Sequence, residues 1–132
     1  MSQNYIPKRA MFIYAHPDDI EFSVAGTAAK WAKGGCDITY IIITDGNVGS
    51  HDRSMTREQL ADIRRSEQTA AAKVAGVHRC LYLGYDDGLL APTLELRKQL
   101  VRLIRQHNPN VVVCGDPTTV LYSGRINHPD HR

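Results

Sequence analysis

Four short apolar runs, at residues 10–15, 38–44, 80–83 and 111–114, are separated by three longer stretches of helical character. This alternation constrains the fold more than any other feature of the chain. The first run is bounded by charge, and the second is dense in β-branched residues, as strands buried on both faces are. Between them, residues 20–33 have helical character and end at Gly34 and Gly35, the usual place for C-terminal glycines. Thr56 and Gln59 have the spacing of a capping box that opens a helix running to about residue 75, closed by Gly76. Thr93 opens a third helix with Leu96, Leu100, Leu103 and Ile104 on one face, and Pro109 stops it. Strand then helix, repeated with short connections, predicts parallel strands joined by right-handed crossovers. The expected fold is therefore α/β, a Rossmann-like open, mostly parallel sheet flanked by helices.

Composition narrows the function classes. A chain of 132 residues, 42% hydrophobic and 23% charged, is read as one globular domain over 1–132, with no repeat or linker. The formal net charge of +2 is scattered rather than clustered, so no nucleic-acid partner is expected. The apolar runs are too short to span a bilayer, and Met1 to Arg9 lacks the apolar stretch of a leader, so no membrane partner is expected either. Cys36, Cys80 and Cys114 are odd in number and form no C-x-x-C pair, and they read as reduced, buried thiols of a cytoplasmic protein.

In open α/β sheets ligands sit beyond the carboxyl ends of the strands. Those ends lead here into His16-Pro17-Asp18-Asp19, Asp45-Gly46-Asn47, Asp86-Asp87-Gly88, and a polar tail ending in His128-Pro129-Asp130-His131. A hydrolytic metal site uses a few imidazole and carboxylate ligands with one open position for water, and a separate base to take the proton. The adjacent Asp18 and Asp19 could divide those two jobs; equally, one of them could simply cap the helix that follows. His128 and His131 could complete such a site with Asp130 orienting one ring, or could belong to a solvated tail. The two clusters at strand ends of one sheet are more persuasive together than apart.

The runs Ala15-His16-Pro17-Asp18-Asp19-Ile20-Glu21 with Ala25-Gly26-Thr27, and Asn127-His128-Pro129-Asp130-His131-Arg132, closely resemble the two signatures of the LmbE-like or PIG-L deacetylase family. Thr44-Asp45-Gly46, Arg64-Arg65-Ser66-Glu67 and Leu83-Gly84-Tyr85-Asp86-Asp87-Gly88 resemble further motifs of that family in the same order. The resemblance implies a zinc-dependent hydrolase that removes an acyl group, typically acetyl, from an N-acyl amino sugar such as an N-acetylglucosamine derivative. It implies His16, Asp19 and His131 as metal ligands, with Zn2+ as the default and Fe2+, cobalt or nickel able to use the same set. It implies Asp18 as general base, and His128 as acid or oxyanion stabiliser with Asp130 behind it. Arg64 would lie near the substrate, or else form a surface salt bridge with a residue such as Glu67. Asp87 and Asp45 would shape loops that touch substrate, or serve only as turn residues. Members of the family continue past this point, so the sheet is expected to be incomplete at the C-terminus. An unpaired sheet edge would invite a second copy, which makes a homo-oligomer compatible with the sequence.

Three other readings stand beside this one. The first is an amidase acting on another N-acyl conjugate with the same machinery. The second is an inactive metal-binding remnant. The third, a nucleotide-binding doubly wound domain, would need a glycine-rich turn after the first strand, where His16-Pro17-Asp18-Asp19 stands instead.

Overall fold

The structure is a computed structural model that describes residues 5–122 and 124–132. The first four residues of the N-terminal stretch read above as lacking a leader lie outside the described residues.

Four strands, β1 (Arg9–Tyr14), β2 (Asp37–Thr44), β3 (Arg79–Tyr85) and β4 (Val111–Val113), form one sheet in the order β3-β2-β1-β4. All three pairings are parallel. Helices α1 (Asp19–Ser23), α2 (Ala25–Lys33), α3 (Arg57–Val74) and α4 (Leu94–His107) make the connections. The expected open α/β sheet is therefore present.

Side chains alternate across a strand, and the pattern assigns each face its cover. Ala10, Phe12, Ile38, Tyr40 and Ile42 share one buried cluster with Ala28 of α2 and Ala72 of α3. Phe12 anchors that cluster, with Trp31 edge-on at 5.9 Å and Tyr40 at 5.6 Å between ring centroids. Met11 and Ile41 point the other way and are equally buried. The crossover through α4 runs backwards along the sheet, from β3 to β4 beyond β1, so right-handedness requires the opposite face from α2 and α3. Chain direction thus reverses beside β1, and the carboxyl end of β1 is the topological switch point.

The capping box is formed as its spacing predicts: Gln59 N donates to Thr56 Oγ1 at 3.1 Å, and Thr56 N donates to Gln59 Oε1 at 2.9 Å. Thr93 caps α4 with a single bond, its Oγ1 accepting from Leu96 N at 3.2 Å, and left-handed Asn108 ends it before Pro109.

Some expectations change. The single helix expected over 20–33 is two helices broken at Val24, whose φ of −135° leaves the helical region. Ser23 Oγ donates to the Asp19 carbonyl at 2.6 Å, the kind of side-chain competition that bends a helix. The third strand extends two residues beyond the expected 80–83 at its carboxyl end, into the Leu83-Gly84-Tyr85 segment. The polar tail holds a two-strand antiparallel ribbon, β5 (Leu121–Tyr122) with β6 (Arg125–Ile126), and then a 3-10 turn (Pro129–His131). Of the cysteines only Cys36 is buried; Cys80 is half-buried, and Cys114 is exposed because it follows an edge strand. All three are free. Among the described residues no helix is long and apolar enough to cross a membrane.

Candidate active site

The turn after β1 carries an unusual backbone. Asp18 adopts φ 82°, the left-handed region, with no side-chain cap bond to α1. A non-glycine residue in that region costs on the order of 1 kcal/mol or more, so the surroundings must impose it. They do so from α3. Arg64 donates from Nη2 to the Pro17 carbonyl at 2.8 Å and to Asp18 Oδ2 at 2.9 Å, and from Nη1 to the Gly46 carbonyl at 3.1 Å. Gln68, one turn further along α3 and buried, accepts from Asp18 N at 2.7 Å. The Asp19 carboxylate turns back instead, and its Oδ2 accepts from His16 N at 2.8 Å.

Three side-chain atoms converge at this turn. His16 Nδ1 lies 3.0 Å from His131 Nε2 and 3.4 Å from Asp19 Oδ2, and the last two are 3.1 Å apart. The far nitrogens of both rings face groups that only accept. His16 Nε2 lies 3.0 Å from Asp130 Oδ2 and 3.0 Å from Asp87 Oδ1. His131 Nδ1 lies 3.2 Å from Asn127 Oδ1, an oxygen that also accepts from His128 N at 3.0 Å. Each neutral ring therefore carries its hydrogen on the far side. The near side gathers three lone-pair atoms, an arrangement that repels itself unless a cation lies among them. Two imidazoles and one carboxylate with their outer hydrogens on acceptors are the donor set of an open zinc-type centre.

Asp130 closes the arrangement. Its side chain is 0% exposed, and besides His16 it accepts from Gly88 N at 2.8 Å and Leu90 N at 3.2 Å. Asn47 clasps the same loop, donating from Nδ2 to Asp86 Oδ1 at 2.9 Å and accepting from Asp87 N at 3.2 Å. A second group of possible ligands, His16, Asp87, His128 and Asp130, shares His16 with the first. Within that group, Asp130 and His16 Nε2 are already engaged in the hydrogen bonds above.

Electrostatics follow from this crowding. Burial works against a charged His16, but Asp19, Asp87 and Asp130 outweigh it and hold its pKa above the ordinary 6.5. Burial lifts the Asp18 carboxyl; Arg64 opposes the rise and neighbouring Asp19 adds to it. Asp19 moves the other way, because bonds from His16 and the charge of His131 overcome its burial. His128 is pushed below 6.5 by burial and by His16, and its Nδ1 accepts from Asp130 N at 3.2 Å. A neutral His128 therefore presents a hydrogen at Nε2, which lies 3.8 Å from Asp87 Oδ1.

The family model described as PIG-L, GlcNAc-PI de-N-acetylase, matches residues 11–132. The chain belongs to the PIG-L family. A diacetylchitobiose deacetylase of Thermococcus kodakarensis is 36% identical over 125 residues, which cover 95% of this chain and 45% of that protein. A probable N-acetyl-alpha-D-glucosaminyl L-malate deacetylase of Bacillus anthracis is 30% identical over 94% of this chain and 54% of its own length. Among solved structures, the N,N'-diacetylchitobiose deacetylase of Pyrococcus horikoshii, complexed with its inhibitor MPG, superposes with a TM-score of 0.89 at 36% identity. It covers 96% of this chain and 46% of that one. The chain thus spans about half the length of these relatives.

In this PIG-L chain the two signature motifs lie against each other. Asp130 sets its carboxylate against His16 at 3.0 Å, while His128 Nδ1 is 3.8 Å away, so it backs His16 rather than His128. Arg64 forms no bond to Glu67; it grips the Pro17–Asp18 turn and the Gly46 carbonyl. Asp87 sits beside both His16 and His128 with 10% of its side chain exposed. Asp45 accepts from Arg65 at 3.3 Å. Sequence reasoning missed Gln68, Asn47 and Asn127. The signal for Gln68 was available: it stands four residues after Arg64, so both polar side chains project from one face of α3.

Proposed function

We propose that the chain is the metal-binding part of a zinc-dependent N-deacetylase that removes an acetyl group from an N-acetylglucosamine derivative. The observation that carries the reading is the convergence of His16 Nδ1, Asp19 Oδ2 and His131 Nε2 within 3.4 Å, with Asp18 beside it. His16, Asp19 and His131 would hold the ion. When bound, it supplies Lewis-acid polarisation of the amide carbonyl and makes water acidic enough to ionise near neutral pH. Fe2+ would use the same ligands.

The chain's own residues divide the remaining work. Asp18, with 54% of its side chain exposed, takes the water proton; its raised pKa makes it a stronger base than an ordinary carboxylate. Water oxygen bonds to the carbonyl carbon, and the oxygen gains negative charge. His128 donates its Nε2 hydrogen toward that charge, which a neutral imidazole does without titrating. The carbon–nitrogen bond then breaks, and the proton held by Asp18 passes to the leaving amine. The products are a carboxylate and a free amino sugar. Asp87, which lies against His16 and His128, would bind the sugar. The three free cysteines suit a reducing compartment, and we take the reaction to be cytoplasmic.

A second reading, an amidase acting on a different N-acyl conjugate, draws on one observation. A cleft of about 680 Å³, mainly apolar, runs from Asp19 and His131 past Ile13, Tyr14, Phe22 and Ile43. It would accommodate an apolar substituent.

Metal content per chain and release of free amine from N-acetylglucosamine compounds test both readings. About one zinc in the parent and little in Asp19→Ala and His131→Ala are expected. Asp18→Ala should keep the metal and lose turnover. Equal metal loss in Asp18→Ala and Asp19→Ala would refute the division of labour. Turnover confined to amides with large apolar groups would favour the second reading.

A further inference from the structure

The peptide unit between Pro17 and Asp18 is held at both of its polar atoms by one helix. Its carbonyl oxygen accepts from Arg64 Nη2 at 2.8 Å, and its N–H donates to Gln68 Oε1 at 2.7 Å. Arg64 and Gln68 lie one turn apart on α3, so their spacing is set by the helix and not by a loop. Gripping both polar atoms of a rigid planar unit fixes its orientation, and with the Asp18 carbonyl held by Phe22 N at 3.1 Å this supports the φ of Asp18 at 82°. Gln68 is itself locked: it is 3% exposed, and its Nε2 donates to Glu21 Oε1 at 3.0 Å. That second bond forces the amide to present its oxygen, not its nitrogen, to Asp18 N.

We infer that Gln68 is a positioning residue for Asp18: through Glu21 it presents an acceptor to the Asp18 N–H, and so aims the carboxylate from a backbone conformation the turn would not hold alone. The inference rests on the reading of Asp18 as the base. Gln68 takes no part in the chemistry, touches none of the three converging ligand atoms, and acts only through the direction in which Asp18 points. Small angular errors in a base are costly in rate, since proton transfer requires hydrogen-bond reach to the proton it abstracts.

The test uses the full chain loaded with zinc. Gln68→Met keeps length and removes both hydrogen bonds. It should lower kcat by about 10- to 100-fold while KM stays within about threefold and zinc content is unchanged. Gln68→Glu keeps the acceptor for Asp18 N but sets two carboxylates face to face, so it should lower kcat as well. Adding Glu21→Gln to it restores the same pattern of donors with partners exchanged, and should return kcat to within about threefold of the parent. This exchange remains decisive if Gln68→Met fails to fold. Unchanged kcat in Gln68→Met, parallel loss of zinc and kcat, or no recovery in the double variant would each overturn the inference. Turnover surviving in Asp18→Ala would overturn the base assignment and the inference with it. Turnover lost in Asp18→Ala but intact in Gln68→Met would overturn the inference alone.

Discussion

Asp130 Oδ2 stands 3.0 Å from His16 Nε2, tying together two motifs that lie 114 residues apart in sequence. The same carboxylate accepts from Gly88 N and Leu90 N, so three segments meet on one buried side chain. Asp130→Ala should therefore weaken zinc binding by about 10- to 100-fold through loss of the bond that orients His16. It should also lower unfolding free energy by about 1–3 kcal/mol, because two partly buried backbone donors lose their acceptor. Metal titration and urea unfolding check the two effects separately, and unchanged zinc affinity would remove Asp130 from the role of backing His16.

Arg64 separates two roles that kinetics can tell apart. As a brace for the Pro17–Asp18 turn it acts on the position of the base, so Arg64→Ala should lower kcat by about 10-fold or more and leave KM nearly unchanged. A raised KM with normal kcat would return Arg64 to the substrate contact expected from sequence.

Gly46 makes room for that guanidinium. It has φ 60°, and a Cβ added there would lie 2.5 Å from Arg64 Nη1 and 2.9 Å from its Cζ. Arg64 is held by bonds to the Gly46 and Pro17 carbonyls and to Asp18, and cannot yield freely. Gly46→Ala should cost about 1–3 kcal/mol of stability and reproduce the kcat loss of Arg64→Ala. A variant as stable and active as the parent would show that the Arg64 contacts are dispensable.

The pH dependence of the metal-free chain has a definite sign. His16 has a folded pKa above 6.5, so its charged form is favoured in the native state. That contribution is complete below the unfolded value and is lost as pH rises through the folded one. His128 is depressed, so its effect lies below 6.5 and runs the opposite way, stability rising with pH. Urea unfolding of metal-stripped protein should show stability falling above pH 6.5 in the parent, and less so in His16→Gln. Identical slopes in the two would mean that the carboxylates around His16 do not hold it charged.

A control lies far from the site. Thr56→Ala removes one half of the capping box on α3 and should cost about 1 kcal/mol while leaving kcat intact. A large loss of activity would mean that fraying at the start of α3 reaches the brace near its middle.

The sheet was legible because buried parallel strands demand runs such as residues 38–44, and because Gly76 and Pro109 end helices for local steric reasons. The meeting of His16, Asp19 and His131 was legible because these residues lie in two short motifs. What sequence could not settle was direction. Whether Asp130 backs His16 or His128 depends on a tertiary approach across the whole chain, and periodicity has no access to that. The spacing of Gln68 from Arg64 was readable but did not single it out: on a helix that also carries Arg65, Glu67 and Thr69, one further polar residue looks like solvated surface until burial is known. The break at Val24 and the β5–β6 ribbon fell between the periods that mark long elements.

The crowding of acids around His16 bears on what leaves the site as well as on what enters it. Asp18, Asp19, Asp87 and Asp130 gather there, and Arg64 is the only guanidinium in ion-pair contact with any of them among the described residues. A divalent ion offsets part of that excess and leaves the field negative. An uncharged amide enters such a field without penalty. The acetate formed from it by the proposed hydrolysis carries the same sign as the walls, so the charge distribution itself would drive the acid product out.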